Sequence, residues 1–101
     1  MAGAERIAEE RKRQIAEEGW TADHDDNLED GDLALAGASY ALATVKRYEI
    51  MSQKCWPWDW KWYKPTPDDK IRQLTKAGAL IAAEIDRLER DILAHSVLDN
   101  I

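Results

Sequence analysis

The stretch "TPDDKIRQLTKAGALIAAEIDRLERDIL", Thr66 to Leu93, decides the fold. Its apolar positions, Ile71, Leu74, Gly78, Ile81, Ile85, Leu88 and Ile92, are separated alternately by three and four residues. That spacing is the period of one helix face sustained as a heptad stripe. The start is marked as well: Thr66 stands as the expected N-cap, Pro67 as the first helical residue, and Asp68 and Asp69 in the first turn. A helix over about 67–93 follows. Gly78, between Ala77 and Ala79, marks a point where another backbone is expected to come close.

Two further helices precede it. "AERIAEERKRQIAEEG" consists of strong helix formers ended by Gly19, giving a helix over about 4–18 with a thin apolar stripe of Ile7, Ile15 and alanines. Trp20, just past the glycine stop, is placed to fold back on the last turn. "LALAGASYALATVKRYEIM" reads as a helix over about 33–51, apolar almost all round in its first half and so expected at the centre of the fold. With no hairpin signal, the expectation is a single all-α domain of three helices with an extended Trp-rich connection. The stripe over 71–92 packs on the second helix or forms a homodimer seam. The tail "HSVLDNI" is expected to be loosely held.

Composition restricts the function classes. The 101 residues carry 20 acids and 14 bases, a net charge of −6, which argues against general nucleic-acid binding, since that needs a basic face. The chain shows neither a membrane-length apolar run nor the apolar core of a signal peptide, and Cys55 is its one cysteine. A reducing, cytoplasmic location is the expectation.

Three groups of residues invite a functional reading. The acidic stretch "TADHDDNLEDGD" holds Asp23, Asp25, Asp26, Glu29, Asp30 and Asp32 beside His24. Oxygen ligands in such number suit a divalent cation, but the calcium-loop spacing fails: counted from Asp23, Leu28 stands at the sixth position and Ala34 at the twelfth. The plain alternative is a solvated loop with helix caps. His24-Asp25 matches the histidine–aspartate dyad of phosphohydrolases, which needs further histidines, and His95 is the other one in the chain.

The second group is "CWPWDWKWYKP", where Trp56, Trp58, Trp60 and Trp62 alternate with Pro57, Asp59 and Lys61. In an extended chain all four rings face one way. They either cover a thin core or stack on a ligand base. The third group is cationic: Lys61, Lys64, Lys70, Arg72 and Lys76, with Arg72 and Lys76 four apart on one helix face. The candidate ligand-binding set is therefore Trp56, Trp58, Lys64, Arg72 and Lys76, with His24 and Asp25 as polar contacts.

Two resemblances add to this. "EDGDLALA", Glu29 to Ala36, resembles the "EExGEL" signature of MazG-like nucleotide pyrophosphohydrolases, one residue short and with aspartate for glutamate. That likeness implies magnesium held by Asp25, Asp26, Asp32 and Glu84, with Asp86 as a further candidate. More of the chain, in the order "QIAEEGW" (Gln14–Trp20), "TADHDD" (Thr21–Asp26), "LALAGASYA" (Leu33–Ala41), "WPW" (Trp56–Trp58) and "KAGALIAAEIDRL" (Lys76–Leu88), is similar to a group of small bacteriophage and prophage proteins. The chain departs from that pattern in Asp23, where glutamate is expected, and in Trp60 and Trp62. The resemblance implies a non-catalytic binding protein in the host cytoplasm, without cofactor. It would counter host defence by sequestering a nucleotide-like signal or by inhibiting a defence protein. The magnesium-dependent enzyme and a structural or assembly role are the alternatives.

Overall fold

A computed structural model describes residues 1–99, and among these the chain is all-helical, without strands. Five α-helices follow in order: α1 (Gly3–Glu18), α2 (Ala22–Asp26), α3 (Asp32–Leu42), α4 (Glu49–Cys55) and α5 (Lys70–Asp99). One-turn 3₁₀ segments lie at Lys46–Tyr48 and Trp60–Trp62. No helix among the described residues is long and apolar enough to cross a membrane.

α1 ends as its sequence indicates. Gly19 takes the left-handed conformation at φ 75°, and the Trp20 amide returns to the Gln14 carbonyl at 3.1 Å. The acidic stretch is more ordered than a loop, because Thr21 caps α2 by accepting the His24 amide on its hydroxyl. Gly31, at φ 90°, turns the chain into α3, where neither Asp30 nor Asp32 serves as a side-chain cap.

The helix expected over 33–51 divides. α3 stops at Leu42, Thr44 donates its hydroxyl to the Ala41 carbonyl, and Val45 is extended before the chain re-enters α4. α4 folds back on α3, where the Ser39 hydroxyl donates to the Ser52 carbonyl at 2.6 Å. The central helix is α5, on which α1, α2 and α3 all pack. Its N-cap is Asp69 rather than Thr66: the Asp69 carboxylate accepts the Arg72 amide at 2.9 Å. The helix also runs through His95 to Asp99, so most of the expected loose tail is helical.

Small residues set the packing distance. A Cβ on Gly37 would lie 3.1 Å from the Ala77 carbonyl and 2.9 Å from Ile81 Cγ1, so the close backbone approach is at Gly37. At Gly78, the position expected to serve this purpose, the neighbour is instead the Ile7 side chain of α1.

Helices this close leave little room for large side chains, and the core is completed by the connection. Leu33, Ala36, Tyr40, Trp56, Ala77, Leu80 and Ala83 form it. Trp56 packs edge-on against Tyr40 and Trp58, with Tyr63 at 4.9 Å between ring centres. Gln73, buried at the start of α5, fixes the connection's end: its amide donates to the Tyr40 carbonyl and its oxygen accepts from Thr66.

The two glycines are expected to differ under substitution. Gly37→Ala should cost about 1–3 kcal/mol, because a carbonyl in a helix cannot step aside. Gly78→Ala should cost less than Gly37→Ala. The atoms its Cβ meets, Ile7 Cδ1 and Cγ1 at 2.5 and 2.8 Å, belong to a side chain that can shift with α1 rather than to a helix carbonyl, and alanine favours the helix. Urea unfolding of both variants checks the order.

Candidate functional site

The connection does not present its four indoles on one side. Asp59 accepts the Lys61 amide at 2.9 Å and caps the 3₁₀ turn, which breaks the alternation. Trp56 is buried, whereas Trp60 and Trp62 are 56% and 54% exposed. Trp56 is therefore a core residue and not a ligand contact. Trp58 is half-buried and donates its indole N–H to the Asp32 carboxylate at 3.2 Å.

Two clefts meet at Trp20 and Trp62. The first, of about 180 Å³, is bordered by Lys64, Arg72 and Lys76 together with Arg13, Tyr40 and the two indoles. The three cations picked out in the sequence thus come together. The second, of about 440 Å³, is bordered by Trp58, Leu28, His24 and Asp59 as well as the same two indoles. Glu18 borders both.

The electrostatics of the cationic cleft are set from below by Glu10, which is 3% exposed. It accepts from Arg13 at 2.8 Å, from Arg72 at 2.7 Å and from Gln14 at 3.2 Å. Burial alone would raise its carboxyl. The Arg13 hydrogen bonds and the Arg72 charge outweigh burial and hold it below the ordinary glutamate value. Lys76 donates to the Lys64 carbonyl at 2.9 Å and lies 5.9 Å from the Tyr40 ring centre. Burial, and then the Arg72 charge, push its ammonium below the ordinary lysine value. Among the described residues the buried Gln14 oxygen, beneath this cleft, has no hydrogen-bond partner.

At the second cleft His24 stacks with Trp20, the rings 11° from parallel and 6.4 Å apart. Its Nδ1 lies 3.0 Å from Asp25, which is fully buried and 3.7 Å from Arg11. Asp25 is thus a support for His24 and not a surface contact.

The carboxylates considered for magnesium are not brought together. Asp26 takes Arg90 at 2.8 Å, Asp32 takes Trp58, and Glu84 and Asp30 both take Arg87. Asp86 faces Arg11 at 3.5 Å. Among the described residues no three His, Cys, Asp or Glu side chains form a set that could hold a metal.

Trp20, Arg13, Glu10, Tyr40 and Trp62 belong to the clefts but not to the candidate set. Two of them carried a usable signal, Trp20 in the glycine stop before it and Trp62 as one of the alternating indoles. Comparison with protein-family models, curated proteins and solved structures returns no match.

Glu10 leads to a pH prediction. Its folded-state pKa is depressed, so its contribution to stability is present above the ordinary value of 4.5 and is lost as pH falls through the lower folded-state value. Glu10→Gln should lower stability near neutrality by about 1.5–3 kcal/mol, the range for hydrogen bonds to charged groups. It should also flatten the acid limb of a thermal-melt pH series.

Proposed function

We propose that the chain is a small non-catalytic binding protein, homodimeric through α5, that holds a nucleotide-like anion across the two clefts. The observation that carries this reading is their junction: Trp20 and Trp62 border both the cationic cleft of Lys64, Arg72 and Lys76 and the aromatic cleft of Trp58 and His24. Phosphate oxygens suit the first, where Lys64 and Lys76 supply charge beyond what Glu10 and Glu18 neutralise on Arg13 and Arg72. A base suits the second, stacked on an indole, with His24 offering a ring nitrogen at its edge. Together the clefts fall within the roughly 300–1,000 Å³ of small-molecule sites.

The likeness to small phage proteins supplies the setting, which is withdrawal of a nucleotide signal from a host defence pathway. Inhibition of a host defence protein is a second reading. It is favoured by a separate observation, the exposed Tyr48, Ile50 and Met51 at α4. The pyrophosphohydrolase alternative gains no support, since each of its four carboxylates is engaged by an arginine, a histidine or an indole.

Calorimetric titration with triphosphates, cyclic dinucleotides and ADP-ribose derivatives tests the reading. One class should bind and be recovered intact. Trp62→Ala should weaken it roughly 5- to 150-fold, the equivalent of about 1–3 kcal/mol for one stacked base. Absence of binding across the panel would refute the nucleotide reading and leave α4 as the surface to pursue.

Binding should also fall with rising pH before an ordinary lysine titrates, because the Lys76 ammonium is held below that value. Lys76→Met should weaken binding at neutral pH and remove that early fall.

A further inference from the structure

We propose that two copies of the chain pair through α5 in antiparallel orientation, about a two-fold axis close to Ile81. The inference rests on the homodimer in the reading above and assigns its geometry. Ile71, Leu74, Ile81, Ile85, Leu88 and Ile92 form a row along α5, each between 40% and 68% exposed. The row spans roughly 30 Å at 1.5 Å per residue. The gap in it, at Gly78, is filled by Ile7 of α1, so the surface is continuous. An apolar row of this length at heptad spacing is the seam of a helix pair.

The end of the helix points the same way. The last ion pair from the body to α5 is Asp26 with Arg90 among the described residues, and beyond it Ile92 and Leu93 are 68% and 65% exposed. Helical turns without tertiary packing are marginal in water. A partner helix lying along the row gives these turns a surface to pack on.

Charge fixes the direction. From residue 70 to 83 α5 carries Lys70, Arg72 and Lys76 and no acid. From 84 to 92 it carries Glu84, Asp86, Glu89 and Asp91 against Arg87 and Arg90. A parallel pair sets like charge beside like. Arg72 and Lys76 face the cleft and Glu84 is buried against Arg87, so the opposite charges that flank the row are Lys70 and Asp91. An antiparallel pair brings these together and a parallel pair keeps them apart. Lys70 and Asp91 stand three heptads apart on the same flank of the row. A two-fold axis near Ile81 therefore brings each one opposite the other's counterpart, twice per dimer.

Sedimentation and cysteine pairing in a Cys55→Ser background test this. The parent should sediment at twice the chain's 11.5 kDa. Ile85→Asp should sediment as a monomer with its helical circular dichroism retained. A mixture of Leu74→Cys and Leu88→Cys chains should oxidise to a disulfide-linked heterodimer, while Leu88→Cys alone should not cross-link. A monomeric parent would overturn both the dimer and its geometry. A dimeric parent in which Leu88→Cys links to itself would keep the dimer and overturn the antiparallel pairing.

Discussion

Gly37 of α3 lies against the Ala77 carbonyl of α5, and the rest of the architecture depends on that approach. Helices held so close by glycine and alanine bury little apolar volume between them. The connection supplies what is missing. Trp56, Trp58 and Tyr63 fold over the pair, and Tyr40 receives them, stacking on Tyr63 and accepting the Lys64 amide on its hydroxyl. A segment used to complete a core cannot wander, so Lys64 comes to rest beside Arg72 and Lys76, and Trp62 beside Trp20.

Charge organises the remaining elements. Glu10 ties α1 to α5 through Arg72, and Arg11 reaches Trp20, Asp25 and Asp86 from the same helix. α2 and the turn after it are held to α5 by Asp26 with Arg90 and Asp30 with Arg87. Exposed pairs of this kind contribute little each, about 0–1 kcal/mol. Their larger effect is on position. Four elements carrying many acids are arranged so that the cations of one cleft remain in excess, in a chain whose net charge is −6.

The legible parts were those written in local periodicity and capping. The α5 stripe and the Gly19 stop for α1 needed no tertiary knowledge, and the all-helical class followed. The break after Leu42 was not legible, because neither glycine nor proline marks it and Thr44 and Val45 are only weakly unfavourable in a helix. The alternation of the tryptophans was misleading for a physical reason: a single cap from Asp59 changes the backbone, and the inward or outward sense of each ring changes with it. The acidic stretch resembled a ligand set because the arginines that engage it, Arg11, Arg87 and Arg90, lie elsewhere in sequence and reach it only through packing. Glu10 and Arg13 escaped notice as cleft residues because on α1 they look like any surface pair.

The connection has an inward half that builds the core, and in the proposed function its outward half meets a ligand. The most direct test of this division follows the five indole N–H signals in a nitrogen-15 spectrum during titration with a purine nucleoside triphosphate. The Trp62 and Trp20 signals should shift saturably, with Trp56 unmoved and slow to exchange with solvent. Signals that all stay in place at saturating ligand, or a Trp56 indole that exchanges as fast as Trp60, would contradict it.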